Sequence, residues 1–131
     1  MKNKRPLKIL LVIAGLVAII IGGIILFQPD QLYISSGIEL GDDPSIRNDI
    51  RAAGGAILAC GMVILSGIFV VRLTFTATVI SAVMYLSYGM SRIFSFAVDG
   101  LPVDSLVMAA VLEIIIGMAS VFAILKYRHD G

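Results

Sequence analysis

Four charged residues sit inside or against long apolar stretches: Arg51, Arg92, Asp99 and Glu113. Arg92 lies within "MYLSYGMSRIFSFAVDG", residues 84–100, and Glu113 is the one carboxylate well inside an apolar block. A guanidinium presents a fixed fork of N–H donors, and a carboxylate at similar depth can accept those bonds or exchange a proton. Together the four form a charge-neutral set. Such a set can clasp helices, hold a polar or anionic group of a ligand, or take part in acid–base chemistry.

Arg92 is part of a pattern. Alternating steps of four and three back from Asp99 pass through Ser95, Arg92, Tyr88, Tyr85, Ser81, Thr78 and Thr74, all able to hydrogen-bond. On a helix these steps stay on one face, leaving Ile80, Val83, Leu86, Ile93 and Phe96 for the others. A lipid-facing arginine near mid-membrane is costly on every scale, so this stripe is expected to face other helices or a wet cavity. Glu113 is its expected partner. Arg92 lies about two turns below the outer end of its segment, Glu113 lies near the middle of the next, and the short link "DGLPVDS" forces the two segments together.

Small residues accompany both charges. Ala109, Ala110, Gly117 and Ser120 share the face of Glu113, while Gly54, Gly55, Ala59 and Gly61 follow Arg51 in "RNDIRAAGGAILACG". Small faces let membrane helices approach closely. Gly54, Gly55, Gly61, Gly89 and Gly117 are therefore expected to serve helix packing.

The elements that must position these residues follow from composition. Hydrophobic residues make up 59% of 131, and the mean hydropathy of +1.02 is far above that of a soluble globular chain. A net charge of +1 leaves no basic surface for nucleic acid. Apolar blocks at about 9–27, 52–71, 73–98 and 105–125 each approach the ~20 residues that cross a ~30 Å hydrocarbon core. The chain, 1–131, thus reads as one all-α integral membrane domain, an antiparallel four-helix bundle with an outer loop at about 28–48. The basic head Lys2, Lys4, Arg5 and Lys8 resembles that of a signal peptide. The apolar run after it exceeds the ~7–15 residues of such a peptide and no A-x-A site follows, so an uncleaved span is expected.

Punctuation agrees with this division. Asp43 can cap a helix that Pro44 opens, Gly100 can close the third span before Pro102 or Asp104 opens the fourth, and Arg72 alone separates the second and third. With the N-terminus inside, Lys2, Lys4, Arg5, Lys8, Arg72, Lys126 and Arg128 fall on the inner side against Arg47, Arg51 and Arg92 on the outer. Seven against three is the positive-inside pattern. Both termini are expected in the cytoplasm, with the spans in a bacterial inner membrane.

"IRAAGGAILACG", "YGMSRIFSFAVDGLP" and the single downstream Glu113 also resemble a family. They are similar to the small four-span bacterial membrane proteins of the domain-of-unknown-function family numbered 4345. Its pattern of arginine before paired glycines, then Gly-x-x-Arg-x-x-Ser, Asp-Gly-x-Pro and a late glutamate falls here on Arg51, Gly54, Gly55, Gly89, Arg92, Ser95, Asp99, Gly100, Pro102 and Glu113. The resemblance covers roughly residues 49–120 and departs from the pattern at Ala52 and Ala53. It implies membership and no activity.

Three functions fit these residues. In the leading one the protein is structural or interactive, the charges hold its fold, and no cavity reaches Arg92. In the second, an outward-facing polar pocket serves small-ligand binding or proton-coupled transport, with Glu113 titrating and Arg51 and Arg92 receiving a negative group; of the polar stripe Ser81, Tyr85, Tyr88 and Ser95, the two tyrosines could contact a ligand or bridge helices. The third, an intramembrane enzyme, lacks a recognisable nucleophile, phosphate loop or cofactor motif. Cys60 is the single cysteine and His129 the single histidine, so neither metal nor cofactor is expected. The expected partners are the lipid bilayer and a second copy or another membrane protein, and nucleic acid is not among them.

Overall fold

The computed structural model describes residues 3–128, so Lys2 and His129 lie outside the described residues. Its helices are α1 (Arg5–Phe27), α2 (Pro29–Ser35), α3 (Pro44–Phe69), α4 (Thr74–Asp99) and α5 (Asp104–Tyr127), with a 3-10 turn at Val71–Leu73 before α4. No strand occurs among the described residues. Helices α1, α3, α4 and α5 are each long and apolar enough to cross a membrane.

Local chemistry sets the ends. The Asp43 side chain accepts a hydrogen bond from the Ser45 backbone N–H at 2.9 Å, with Pro44 opening α3. This satisfies one of the amides that a helix start leaves free. Gly100 closes α4 at φ +91°, a conformation that side-chain-bearing residues rarely adopt. The segment at about 28–48, expected as an outer loop, contains α2. Pro29 begins this short helix, and Asp30 in its first turn is gripped by Arg47 of α3, Nη2 to Oδ1 at 2.9 Å and Nε to Oδ1 at 3.1 Å.

Packing has two modes. Between α1 and α3 the backbones themselves approach: a Cβ added to Gly22 would lie 2.6 Å from the Leu58 nitrogen, and one on Gly61 would lie 2.9 Å from the Ile19 nitrogen. Gly15 and Gly22 on α1 and Gly54 and Gly61 on α3 share a seven-residue spacing, so the seam repeats every two turns. Gly55 is off that seam, with Leu26 Cδ1 at 3.9 Å as the nearest neighbour a Cβ would meet. Between α4 and α5, side chains fill glycine gaps reciprocally: Ile114 lies over Gly89, and Leu86 lies over Gly117.

The core gathers at one end. Leu7, Leu11 and Ala14 of α1, Ile64 of α3, Ala77 of α4 and Ala123 of α5 are buried together, and the Tyr127 hydroxyl donates to the Asn3 carbonyl at 2.7 Å. At the other end α1 with α3, and α4 with α5, enclose open space.

The seam yields a test. Gly22→Leu or Gly61→Leu should destabilise the protein by at least about 1–3 kcal/mol through overpacking. Gly23→Leu, where a Cβ meets nothing within 4 Å, should stay within about 0.5 kcal/mol. Unfolding in bicelles measures both, and equal losses would contradict the packing described.

Candidate functional site

The open end holds a cavity of about 440 Å³. Its walls are mostly apolar: Val17 and Ile21 come from α1, Ile57 from α3, Met84 from α4 and Leu112 from α5. Tyr88, Arg92 and Glu113 supply a polar patch, Asp49 and Ser105 also line it, and Leu32 and Tyr33 of α2 reach in from outside.

Arg92 Nε donates to Glu113 Oε1 at 2.9 Å and to Oε2 at 3.2 Å. The side chains retain 29% and 14% of their exposure, so the pair is sheltered but not sealed. The same reciprocal packing of α4 on α5 aims both groups. Gly89 lies one turn before Arg92 and receives Ile114, the residue after Glu113. The Tyr88 ring centroid lies 5.9 Å from Arg92 Cζ, within the range where an aromatic face attracts a cation.

The α4 stripe below Tyr88 serves packing, and Tyr85 also lines the cavity. Tyr85 donates its hydroxyl to the Ala14 carbonyl of α1 at 2.5 Å. Ser81 and Ser120 share a buried hydrogen bond at 2.8 Å, and Ser120 also donates to the Ile116 carbonyl. Thr78 donates to the Thr74 carbonyl, and Thr74 to the Gly67 carbonyl of α3. The stripe thus ties α4 to α1 at the cavity wall and to α3 and α5 below it.

Arg51 and Asp99 do not join the pair. Arg51 Nη1 donates to the carbonyls of Leu26 at 2.5 Å and Phe27 at 3.4 Å, answering carbonyls that the end of α1 leaves without helix partners. Asp99 accepts from Ser95 at 3.3 Å on the exposed last turn of α4. Neither residue lines the cavity. The expected four-charge centre therefore resolves into Arg92 with Glu113 and two peripheral charges.

Asp49 also lines the cavity and is not among the four charged residues that stand out in the sequence. A signal was present, because Asp49, Ala53 and Ile57 recur every four residues on α3, and all three line the cavity. The Arg47–Asp30 pair holds α2, and with it Leu32 and Tyr33, at the cavity margin. No local pattern marks that pair.

The family model described as Domain of unknown function (DUF4345) matches residues 6–124. That range takes in α3 and α4 whole, all but the ends of α1 and α5, and both members of the ion pair. No curated protein and no solved structure matches the chain.

Removing the charge that neutralises Arg92 should cost more than removing a peripheral charge. Glu113→Gln is expected to lower unfolding stability by about 1.5–3 kcal/mol, the range for hydrogen bonds to charged groups. Asp99→Asn should change it by less than about 0.5 kcal/mol. Denaturant titration of the reconstituted protein compares the two, and a larger loss at Asp99 would contradict the assignment.

Proposed function

We propose, from the premise that the chain belongs to the family described as Domain of unknown function (DUF4345), that it is a membrane protein that binds a small, largely apolar ligand. The observation that carries this reading is the place of the Arg92–Glu113 pair in the wall of a cavity of about 440 Å³. A pair serving only as a clasp needs no adjoining space. Small-molecule sites occupy roughly 300–1,000 Å³ and combine apolar walls with a few placed polar groups. Binding needs no chemical step from these residues, which favours it over catalysis.

In this reading the four long helices form an antiparallel bundle in a bacterial inner membrane with both termini cytoplasmic. The cavity then opens toward the outer side, beneath α2. The excess of Lys and Arg at the terminal end and at Arg72 supports this orientation. The structural role remains as a consequence of the same pair, and the lipid-facing sides of α4 and α5 are open to a second copy or another membrane partner.

The test uses diazirine-tagged long-chain probes with hydroxyl, carboxylate or ammonium heads, added to the protein in nanodiscs. At least one probe should crosslink to Ala53, Met84 or Ala109, cavity residues on three helices. Ala109→Phe should suppress that labelling, while Ile115→Phe, at an exposed position on α5, should leave it intact. Labelling confined, for every probe, to residues that do not line the cavity, such as Val83 and Ile115, would contradict a binding function.

A further inference from the structure

We infer that the ligand is an uncharged amphiphile that sets a hydroxyl or carbonyl oxygen against the terminal nitrogens of Arg92. This rests on the binding function proposed above and narrows it to a chemical class. The guanidinium of Arg92 is only partly engaged within the protein. Its Nε is engaged by both oxygens of Glu113, whereas Nη1 and Nη2 hydrogen-bond to no acceptor among the described residues. No buried side-chain nitrogen or oxygen among the described residues lacks a partner. The terminal nitrogens therefore keep accessible surface on a residue that lines the cavity. They are directional donors that an oxygen atom satisfies.

Charge decides between an ion and a neutral group. Arg92 and Glu113 neutralise each other, and Asp49 adds a second carboxylate to the lining. An anion would meet two carboxylates for one guanidinium that already has its counter-ion. A cation would be repelled by Arg92, would be drawn to exposed Asp49 at the rim, and would leave the inner donors unmatched. A neutral oxygen has neither penalty. A hydroxyl fits best, since it can accept from Arg92 and donate to Glu113, whose carboxylate oxygens have lone pairs beyond those used by Nε. Tyr85 cannot compete for that role because its hydroxyl is committed to the Ala14 carbonyl. The remaining walls, including Val17, Ile21 and Met84, suit an alkyl or isoprenoid-like body.

Competition among matched heads tests the class. Dodecanol, dodecanoate, dodecylammonium and dodecane are titrated at neutral pH against whichever tagged probe labels the cavity in nanodiscs. Dodecanol should displace it at a mole fraction about tenfold lower than the other three, the ratio worth one well-placed hydrogen bond to a charged group. Replacing both charges, Arg92→Leu with Glu113→Leu, should shrink the preference for dodecanol over dodecane to below about twofold, since the apolar walls remain. The wild-type comparison decides the matter whether or not that variant folds. Dodecanoate, dodecylammonium or dodecane competing as well as dodecanol would overturn the uncharged class while leaving the binding site in place. Failure of every tagged probe to label the cavity would overturn the binding function, and this inference with it.

Discussion

A guanidinium among apolar helices must be neutralised and hydrogen-bonded within the protein, because hydrocarbon offers it neither water nor counter-ion. Arg92 meets that demand through Glu113, and much of the molecule is arranged by the need. With Arg92 turned inward, the face of α4 is fixed, and Tyr88, Tyr85, Ser81, Thr78 and Thr74 turn inward with it. Each lower member of that face then finds a partner on another helix or in its own preceding turn. One costly charge thus sets the rotation of a whole helix.

Small residues make the arrangement close. The α1–α3 seam lets two backbones touch at Gly22 and Gly61, and the reciprocal Leu86–Gly117 and Ile114–Gly89 contacts hold α4 on α5 at the depth of the pair. Burial concentrates where Leu11, Ile64, Ala77 and Ala123 meet, and the helix pairs separate beyond it. A tight end and an open end in one small bundle reconcile rigidity with a cavity: the packed end positions Arg92 and Glu113, and the open end leaves them reachable. Breaking such a pair costs more than the pair contributes over an apolar replacement, so net stability alone is a weak reason for an ion pair at this wall, which supports the proposed role in recognition.

Much of this could be read along the chain, for definable reasons. Block length and charge segregation give four helices long enough to cross a membrane. The four-and-three spacing gives the α4 stripe, and the short link after Asp99 places Glu113 near Arg92 in depth. Counting along a helix gives depth and face but not the neighbour across the gap. For that reason Arg51, expected beside the pair, instead answers the carbonyls of Leu26 and Phe27. Helix α2 was hidden because seven residues rich in polar groups carry little periodicity, and its anchor Arg47 lies 17 positions from Asp30. The cavity was hidden more deeply. Empty space is the sum of side-chain shapes on all the helices and has no sequence signature of its own.

The most direct measurement of the central claim is the coupling energy between Arg92 and Glu113. A double-mutant cycle of Arg92→Gln, Glu113→Gln and the pair of changes, followed by reversible unfolding in bicelles, isolates it from the effects of each change alone. The ion pair predicts non-additivity of at least about 1 kcal/mol, with the second substitution costing much less once the first is present. Strict additivity would contradict it, and the account of helix rotation and of the cavity's polar wall would lose its foundation.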